Sequence, residues 1–289
     1  MAILFGLLAA FLWGLTDFLA QRAGKAVGVY RTMFYGQVVG VAGLGAWMAF
    51  APDARAQPAG ASPESWVADF GAALIGLCAT LSLYQALLRG RIGTVVPIAA
   101  SYGAVGALLA ILSGERVSVP IILGLACCII GAVISALPAR GKDGGGDDHS
   151  WTPIFWAIAA ALAYGTQFWL LGRYATPQLG AVVPVLVYYA TGLTLFLLVR
   201  VRFAPPIALP QGRLRILVLG TAFAAIGGYV AISAGLATGE IAIVTVLSAF
   251  QSGVTVLIAW MIVKERLAAH QIAGVALVVA GLVTIHAFE

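Results

Sequence analysis

The chain has 289 residues, 62% of them hydrophobic and only 9% charged, whereas soluble domains carry roughly 25% charged residues. So little charge cannot clothe a globular surface, so lipid must cover most of it. A helix crossing a hydrocarbon layer about 30 Å thick uses about 20 residues, so about ten crossings with short loops leave no room for a large soluble domain. The net charge of +5 comes from residues scattered between apolar runs, as loop anchors are, which excludes nucleic-acid binding. Cys78, Cys127 and Cys128 all lie within apolar runs, which points to packing and not to a disulfide framework.

In chain order, hydropathy predicts membrane-spanning helices at residues 3–21, 30–50, 67–88, 93–113, 118–137, 152–172, 178–199, 214–236, 241–262 and 268–287. The first begins without the charged leader or small-residue cleavage site of a signal peptide, so it is expected to remain as a span. Arg22 to Gly28, Pro52 to Pro63, Arg89 to Arg91, Glu115 to Ser118 and Lys264 to Arg266 separate the others. Proline, glycine and charge stop each helix there.

One connector differs. Gly141, Lys142, Asp143, Gly144, Gly145, Gly146, Asp147 and Asp148 have neither apolar content nor period, and read as a flexible linker. The acidic pair and His149 suggest a metal, but a glycine-rich tether holds no ligand in place, so none is expected. The linker, residues 139–150, divides the chain into residues 1–138 and 151–289.

The second half repeats the first. At a shift of 150, Gly103 meets Gly253, Glu115 meets Glu265, Arg116 meets Arg266, Gly124 meets Gly274 and Gly131 meets Gly281; at a shift of 151, Ala10, Trp13 and Gly14 meet Ala161, Tyr164 and Gly165. An odd number of spans per half makes equivalent helices cross in opposite directions. The basic residues test this: Arg22, Lys25, Arg31, Arg89, Arg91, Arg140, Lys142, Arg200, Arg202, Arg213, Arg215, Lys264 and Arg266 fall on one side, and only Arg55, Arg116 and Arg173 on the other. The expected fold is an all-α integral membrane protein of ten transmembrane helices, arranged as two inverted five-helix repeats. Inverted halves can exchange conformations and expose one central site alternately to each side.

Each repeat ends in a small-residue helix, a Glu-Arg pair and a glycine-containing last helix, seen at Gly103 to Gly131 and again at Gly253 to Gly281, and the first helix starts Phe11-Leu12-Trp13-Gly14. This pattern resembles the EamA-type members of the drug/metabolite transporter superfamily over almost the whole chain. The resemblance implies ten helices around a central cavity in the cell (inner) membrane, and export of small metabolites such as amino acids. It also implies termini in the cytoplasm, whereas the basic residues imply a cytoplasmic linker and outward termini.

Polar side chains inside a bilayer face other helices or a wet cavity. The ninth span carries Thr245, Ser248, Ser252 and Thr255 on one stripe with Gln251 beside it; the fourth carries Thr94, Pro97 and Ser101 with Tyr102 adjacent. Ser101 and Gln251 are equivalent across the repeat. Pro97 frees a backbone carbonyl, which marks a bend or a binding site, and Pro184 raises the same question. Trp13, Tyr84, Tyr164 and Tyr229 lie mid-span, where a flat ring with one polar tip can grip a small amphipathic solute; Gln167 shares a face with Tyr164, and Ser233 with Tyr229. Trp66, Trp151 and Trp156 sit near span ends as interfacial anchors. With Thr16 on the first span, the candidate cavity residues are Trp13, Thr16, Tyr84, Pro97, Ser101, Tyr102, Tyr164, Gln167, Tyr229, Ser248, Gln251 and Ser252. For most of these, interhelical packing is the competing reading.

Asp17 reads as the one carboxylate clearly inside a span, and a charge at a helix centre costs about 2.5 to 3.5 kcal/mol to insert. It is the candidate proton carrier, with hydration or pairing near Arg22 as the alternative. The Glu-Arg pairs are expected to cap helices and fix depth, and Gly36 with Gly40 to allow close packing.

A secondary transporter of small metabolites is therefore expected, with lipid, a small solute and protons as its partners and no cofactor. A membrane enzyme is disfavoured, because no HExxH motif occurs, no second carboxylate stands beside Asp17 in this reading, and His149, His270 and His286 are far apart. No GxxxxGK[ST] loop supports a nucleotide-driven pump. A scaffold or receptor needs neither the polar stripe nor the repeat.

Overall fold

In lipid a chain has to satisfy its own backbone hydrogen bonds, and apolar runs of this length do so as helices. The computed structural model describes residues 1–50, 57–89, 95, 98–137, 151–203, 207–208, 210–263 and 268–288. The central linker, Thr94, Pro97, Lys264, Glu265 and Arg266 lie outside the described residues. The long helices are α1 (Ala2–Val27), α2 (Val29–Phe50), α3 (Pro63–Arg89), α4 (Tyr102–Leu112), α5 (Val119–Ala136), α6 (Thr152–Leu170), α7 (Val182–Phe203), α8 (Arg213–Leu236), α9 (Ile241–Ser248), α10 (Gln251–Val263) and α11 (Ala269–Phe288). A 3₁₀ turn, Gln57–Gly60, precedes α3.

Six helical stretches are long and apolar enough to cross a membrane: Ala2–Val27, Val29–Phe50, Pro63–Leu83, Thr152–Leu179, Val182–Arg202 and Arg213–Leu236. Four shorter apolar ones, Ile98–Leu112, Val119–Ser135, Ile241–Thr255 and Ala269–Ile285, fall where the fourth, fifth, ninth and tenth spans are expected. Leu4, Leu8 and Phe11 on α1, and Val279 and Val283 on α11, remain exposed, as a lipid-facing surface requires.

Three elements differ from the sequence reading. Helix α1 runs on through Arg22 and Lys25 to Val27, because charge ends the apolar layer without ending a helix. Gly28, at φ 89°, then makes the whole turn into α2, a conformation that favours glycine. The sixth span continues through a π-helical turn, Leu171–Ala175, and a last turn, Thr176–Leu179. Gly180 then breaks the chain at φ 73°, so α7 starts at Val182 and Pro184 falls in its first turn, where the missing donor costs nothing. Pro184 is therefore a helix start and not a mid-span bend.

The neighbour pattern is the same seen from either half. Helix α1 packs on α8 as α6 packs on α3; α1 packs on α9 and α10 as α6 packs on α4; α2 packs on α8 as α7 packs on α3. Equivalent helices meet each other in the pairs α2 with α7, α4 with α9, and α5 with α11. Hydrophobic driving force is absent between helices in lipid, so close approach of small residues carries this packing. A Cβ on Gly124 would lie 2.9 Å from the Gly281 carbonyl, and one on Gly131 would lie 2.6 Å from the Gly274 carbonyl. Residue numbers rise along α5 as they fall along α11, so these two equivalent helices are antiparallel. Gly14 sits on the Gln251 carbonyl and Gly165 on the Tyr102 carbonyl, each with a would-be Cβ distance of 2.9 Å. Gly40 packs on the Tyr189 ring, whereas Gly36 meets nothing within 4 Å.

Candidate functional site

The fourth and ninth spans each tighten into one turn near mid-span, a residue apart in the repeat register, while the backbone stays right-handed helical. In the fourth, Ser101 is in a turn between Ala100 and α4, its N–H donating to the Ile98 carbonyl at 3.1 Å. In the ninth, Ala249 and Phe250 form a turn between α9 and α10, with the Phe250 N–H on the Leu247 carbonyl at 3.2 Å. The two turns touch: a Cβ on Gly103 would lie 2.8 Å from both the Ala249 Cβ and the Thr245 carbonyl.

Aromatic rings wrap this crossing. The Phe168 ring centroid lies 5.7 Å from Trp13, 5.5 Å from Tyr102, 6.2 Å from Tyr164 and 6.3 Å from Tyr229. Tyr188 and Tyr189 extend the cluster, 4.8 Å and 6.3 Å from Tyr229. Polar tips are held by neighbours. The Trp13 Nε1–H donates to the Ala225 carbonyl at 3.3 Å, and the Tyr102 hydroxyl donates to Ser248 Oγ at 3.2 Å. Thr80 Oγ1 donates to the Gly76 carbonyl and accepts from Tyr164 and Tyr188 at 2.8 and 3.1 Å. Gln167 Nε2 donates to the Tyr229 hydroxyl, with its carboxamide lying on Gly76, where a Cβ would displace it.

Trp13, Tyr102, Tyr164, Gln167, Tyr229 and Ser248 thus share one cluster. Ser101 and Gln251 stand at the two turns, both half-buried, and Ser252 is buried with Oγ lacking a hydrogen-bond partner. Thr16 lies outside this cluster and is half-buried, its hydroxyl donating to the Leu12 carbonyl of its own helix at 2.8 Å, as those of Ser101 and Ser248 do to Ile98 and Thr245. Tyr84 lies in α3 with a side chain outside the described residues, as Pro97 is altogether. Phe168, Tyr188 and Tyr189 were not singled out by sequence. Phe168 occupies the position equivalent to Asp17, and the adjacent tyrosines gave no periodic signal.

Asp17 projects from the centre of the buried stripe of α1 formed by Gly6, Ala10 and Gly14, opposite the lipid-facing Leu4, Leu8 and Phe11, yet its side chain is exposed. Its Oδ2 accepts from Thr255 Oγ1 at 3.4 Å. Asp17 lies toward the end of the bundle that carries Arg22. The other end is shut. Trp169 Nε1–H donates to Ser113 Oγ at 2.8 Å, the Ser62 N–H donates to Gln178 Oε1 at 2.8 Å, and the Glu115 carboxylate accepts from the Ala242 N–H at 3.2 and 3.4 Å. Glu115 therefore caps α9 of the other half, at a helix N-terminus that favours negative charge. Burial raises its carboxyl above the ordinary 4.5, against the lowering by the Ala242 and Ile241 backbone hydrogen bonds.

A second intramembrane carboxylate corrects the reading of Asp17 as alone. Asp69, in α3, is 0% exposed, and neither carboxylate oxygen has a hydrogen-bond partner. It is an acid two residues inside the third predicted span, beside a span end where a single acid is ordinary, and the sequence analysis did not single it out.

A cavity of about 350 Å³ between α2, α3 and α7 is lined by Met48, Trp66, Val183, Leu186 and Val187. Another of about 100 Å³ lies at the Glu115 end beside Ser113 and Arg173. Among the described residues, no group of three or more His, Cys, Asp or Glu side chains is arranged to hold a metal.

The EamA-like transporter family model matches residues 1–137 and 151–286, one copy on each half. The chain belongs to the EamA-like transporter family. It is thereby a multi-pass membrane protein among the transporters of the drug/metabolite superfamily, with lipid around it and a small molecule as cargo. No curated protein matches the chain. A solved structure described as "Crystal structure of protein" is similar to it, with TM-score 0.79 over 98% of this chain and 95% of the other at 21% identity; that likeness shows a common fold. Within this EamA-like protein, the two family units leave only the central linker between them.

Proposed function

We propose that this EamA-like protein is a secondary active transporter that exports a small metabolite, such as an amino acid, by alternating access, without chemical change to it. The repeat-related helices α4 and α9, meeting inside an aromatic cluster, carry this reading. Transporters built from two repeats place their substrate site at the repeat interface near the midplane. The antiparallel pairing of α5 with α11 supports inverted halves, whose exchange of conformation would open the shut end. The candidate cavity residues are Trp13, Ser101, Tyr102, Tyr164, Gln167, Tyr229, Ser248, Gln251 and Ser252, with Asp17 as the proton-coupling group.

The basic residues cluster at the Arg22 end, which the bias of positive loops assigns to the cytoplasm. The ties at the Glu115 end would then close the outward side. Purified protein in sealed liposomes tests this: a labelled metabolite from a broad panel should cross without ATP and respond to an imposed proton gradient. Vesicles that stay tight to the whole panel refute transport, and unchanged gradient dependence in Asp17→Asn removes Asp17 from coupling.

A further inference from the structure

Helix α1 meets α10 at a corner rich in oxygen. Gly14 lies against the Gln251 carbonyl, and one turn further along the two helices Asp17 faces Thr255. Thr255 Oγ1 stands 2.9 Å from the Gln251 carbonyl oxygen, 3.2 Å from the Gly14 carbonyl oxygen and 3.4 Å from Asp17 Oδ2. A hydroxyl has one proton to give, and a full O–H···O bond is about 2.7 to 2.8 Å long. Thr255 therefore serves one of these acceptors at a time, and the others rest against an oxygen with no proton between. Arg22, the base that would neutralise Asp17 from its own helix, instead sets its guanidinium over the Phe18 ring, 3.8 Å from the centroid.

The repeat supplies a comparison. In the other half Gly165 lies against the Tyr102 carbonyl as Gly14 lies against that of Gln251, and Val105 covers Gly165 as Val254 covers Gly14. The positions that match Asp17 and Thr255 by these contacts are Phe168 and Gly106. A crossing of this shape thus packs without a carboxylate or a hydroxyl, and its oxygens alone set the α1 and α10 corner apart.

Three oxygens and one negative charge suit a small monovalent cation. Hard cations of calcium's size bind oxygen at about 2.3 to 2.6 Å, which places neighbouring ligands about 3.3 to 3.7 Å apart at right angles. The separations of Thr255 Oγ1 from the Gly14 carbonyl and from Asp17 come close to that spacing. Sodium has this size with a single charge, whereas calcium sites gather several carboxylates. A helical carbonyl keeps a second lone pair beyond its backbone hydrogen bond, and Asp17 is exposed beside the contact, so water can fill the remaining ligand positions.

We propose that Asp17, Thr255 Oγ1 and the Gly14 carbonyl bind a sodium ion, in competition with a proton on Asp17. This assignment rests on the reading of Asp17 as the coupling group and names a second ion for it. The ion would tie α1 to α10 one turn beyond Trp13, whose ring belongs to the aromatic cluster, so ion and solute would act on the same helix.

The test is binding of radioactive sodium to the purified full chain in detergent, with choline replacing sodium at constant ionic strength. Saturable binding is expected, with potassium competing at least tenfold more weakly. Asp17→Asn should weaken it at least tenfold and Thr255→Val several-fold, with recovery in Thr255→Ser. Glu64→Gln, an exposed acid in the first turn of α3, should leave it unchanged. Thr255→Val also decides the matter should Asp17→Asn fail to fold. No saturable binding, undiminished binding by Asp17→Asn or Thr255→Val, or potassium competing as well as sodium overturns the assignment. Solute exchange driven by a proton gradient, in a protein that binds no sodium, overturns the site and leaves the transporter reading in place. Sodium binding that needs Asp17, without passage of any solute, supports the site and refutes transport.

Discussion

The crossing of α4 with α9 holds the Glu115 end shut, and Gly103→Ala strains that crossing. The new methyl would lie 2.8 Å from the Ala249 Cβ, 2.8 Å from the Thr245 carbonyl and 3.0 Å from the Val246 Cα. None of these atoms ends a flexible side chain, so the helices must separate. Overpacking of this kind costs about 1 to 3 kcal/mol, borne only by the state in which the two helices touch. The population open at the Glu115 end should rise about 5- to 150-fold for that range. Ser248, 0% exposed behind the crossing, reports the change. In a background with Cys78, Cys127 and Cys128 replaced by alanine, Ser248→Cys should react with a membrane-impermeant maleimide added at the Glu115 end. Gly103→Ala should speed the reaction by that factor. An unchanged rate, or a fall in thermal stability with no gain in reactivity, would refute the reasoning, because the strain would then fall on every state alike.

Two further outcomes follow from single interactions. Thr80→Val removes the acceptor of two buried tyrosine hydroxyls while keeping the shape, and should cost about 1 to 3 kcal/mol in detergent unfolding, with recovery in Thr80→Ser; an unchanged midpoint would show that the hydroxyls find other partners. For Glu115, a folded-state pKa above the ordinary 4.5 means that its contribution to stability is complete below that pH and declines as pH rises through the raised value. Glu115→Gln should therefore flatten the fall in melting temperature above pH 4.5, and a slope identical to the parent's would contradict the assignment.

The parts of this molecule that hydropathy and spacing record were legible before any coordinates. Ten apolar segments and the shift of 150 appear as the mirrored helix neighbours, and the flagged Trp13, Tyr164, Gln167 and Tyr229 meet in one cluster. What escaped has a physical reason in each case. The tightened turn at Ala249 and Phe250 falls in an apolar run with neither proline nor glycine at the turn, so local propensity does not announce it. Asp69 lies near a helix start, where one acid is ordinary, and only the burial of its surroundings makes it unusual. Pro184 looked like a bend because the position of Gly180 as the true break depends on backbone conformation. Thr16 and Ser248 are both mid-span hydroxyls, yet Thr16 bonds within its own helix and Ser248 accepts from Tyr102 across the repeat; periodicity treats them alike.

Alternating access requires α4 and α9 to part, so tying them together is the most direct test of the account. A Cβ on Gly106 would lie 3.0 Å from the Thr245 Cβ, so the helices need ease apart by only about half an ångström to reach the roughly 3.5 to 4.5 Å that a disulfide spans. In the cysteine-free background, Gly106→Cys with Thr245→Cys should lose solute exchange in sealed liposomes on oxidation and regain it on reduction. Exchange that continues undiminished through the oxidised, cross-linked protein would contradict the account.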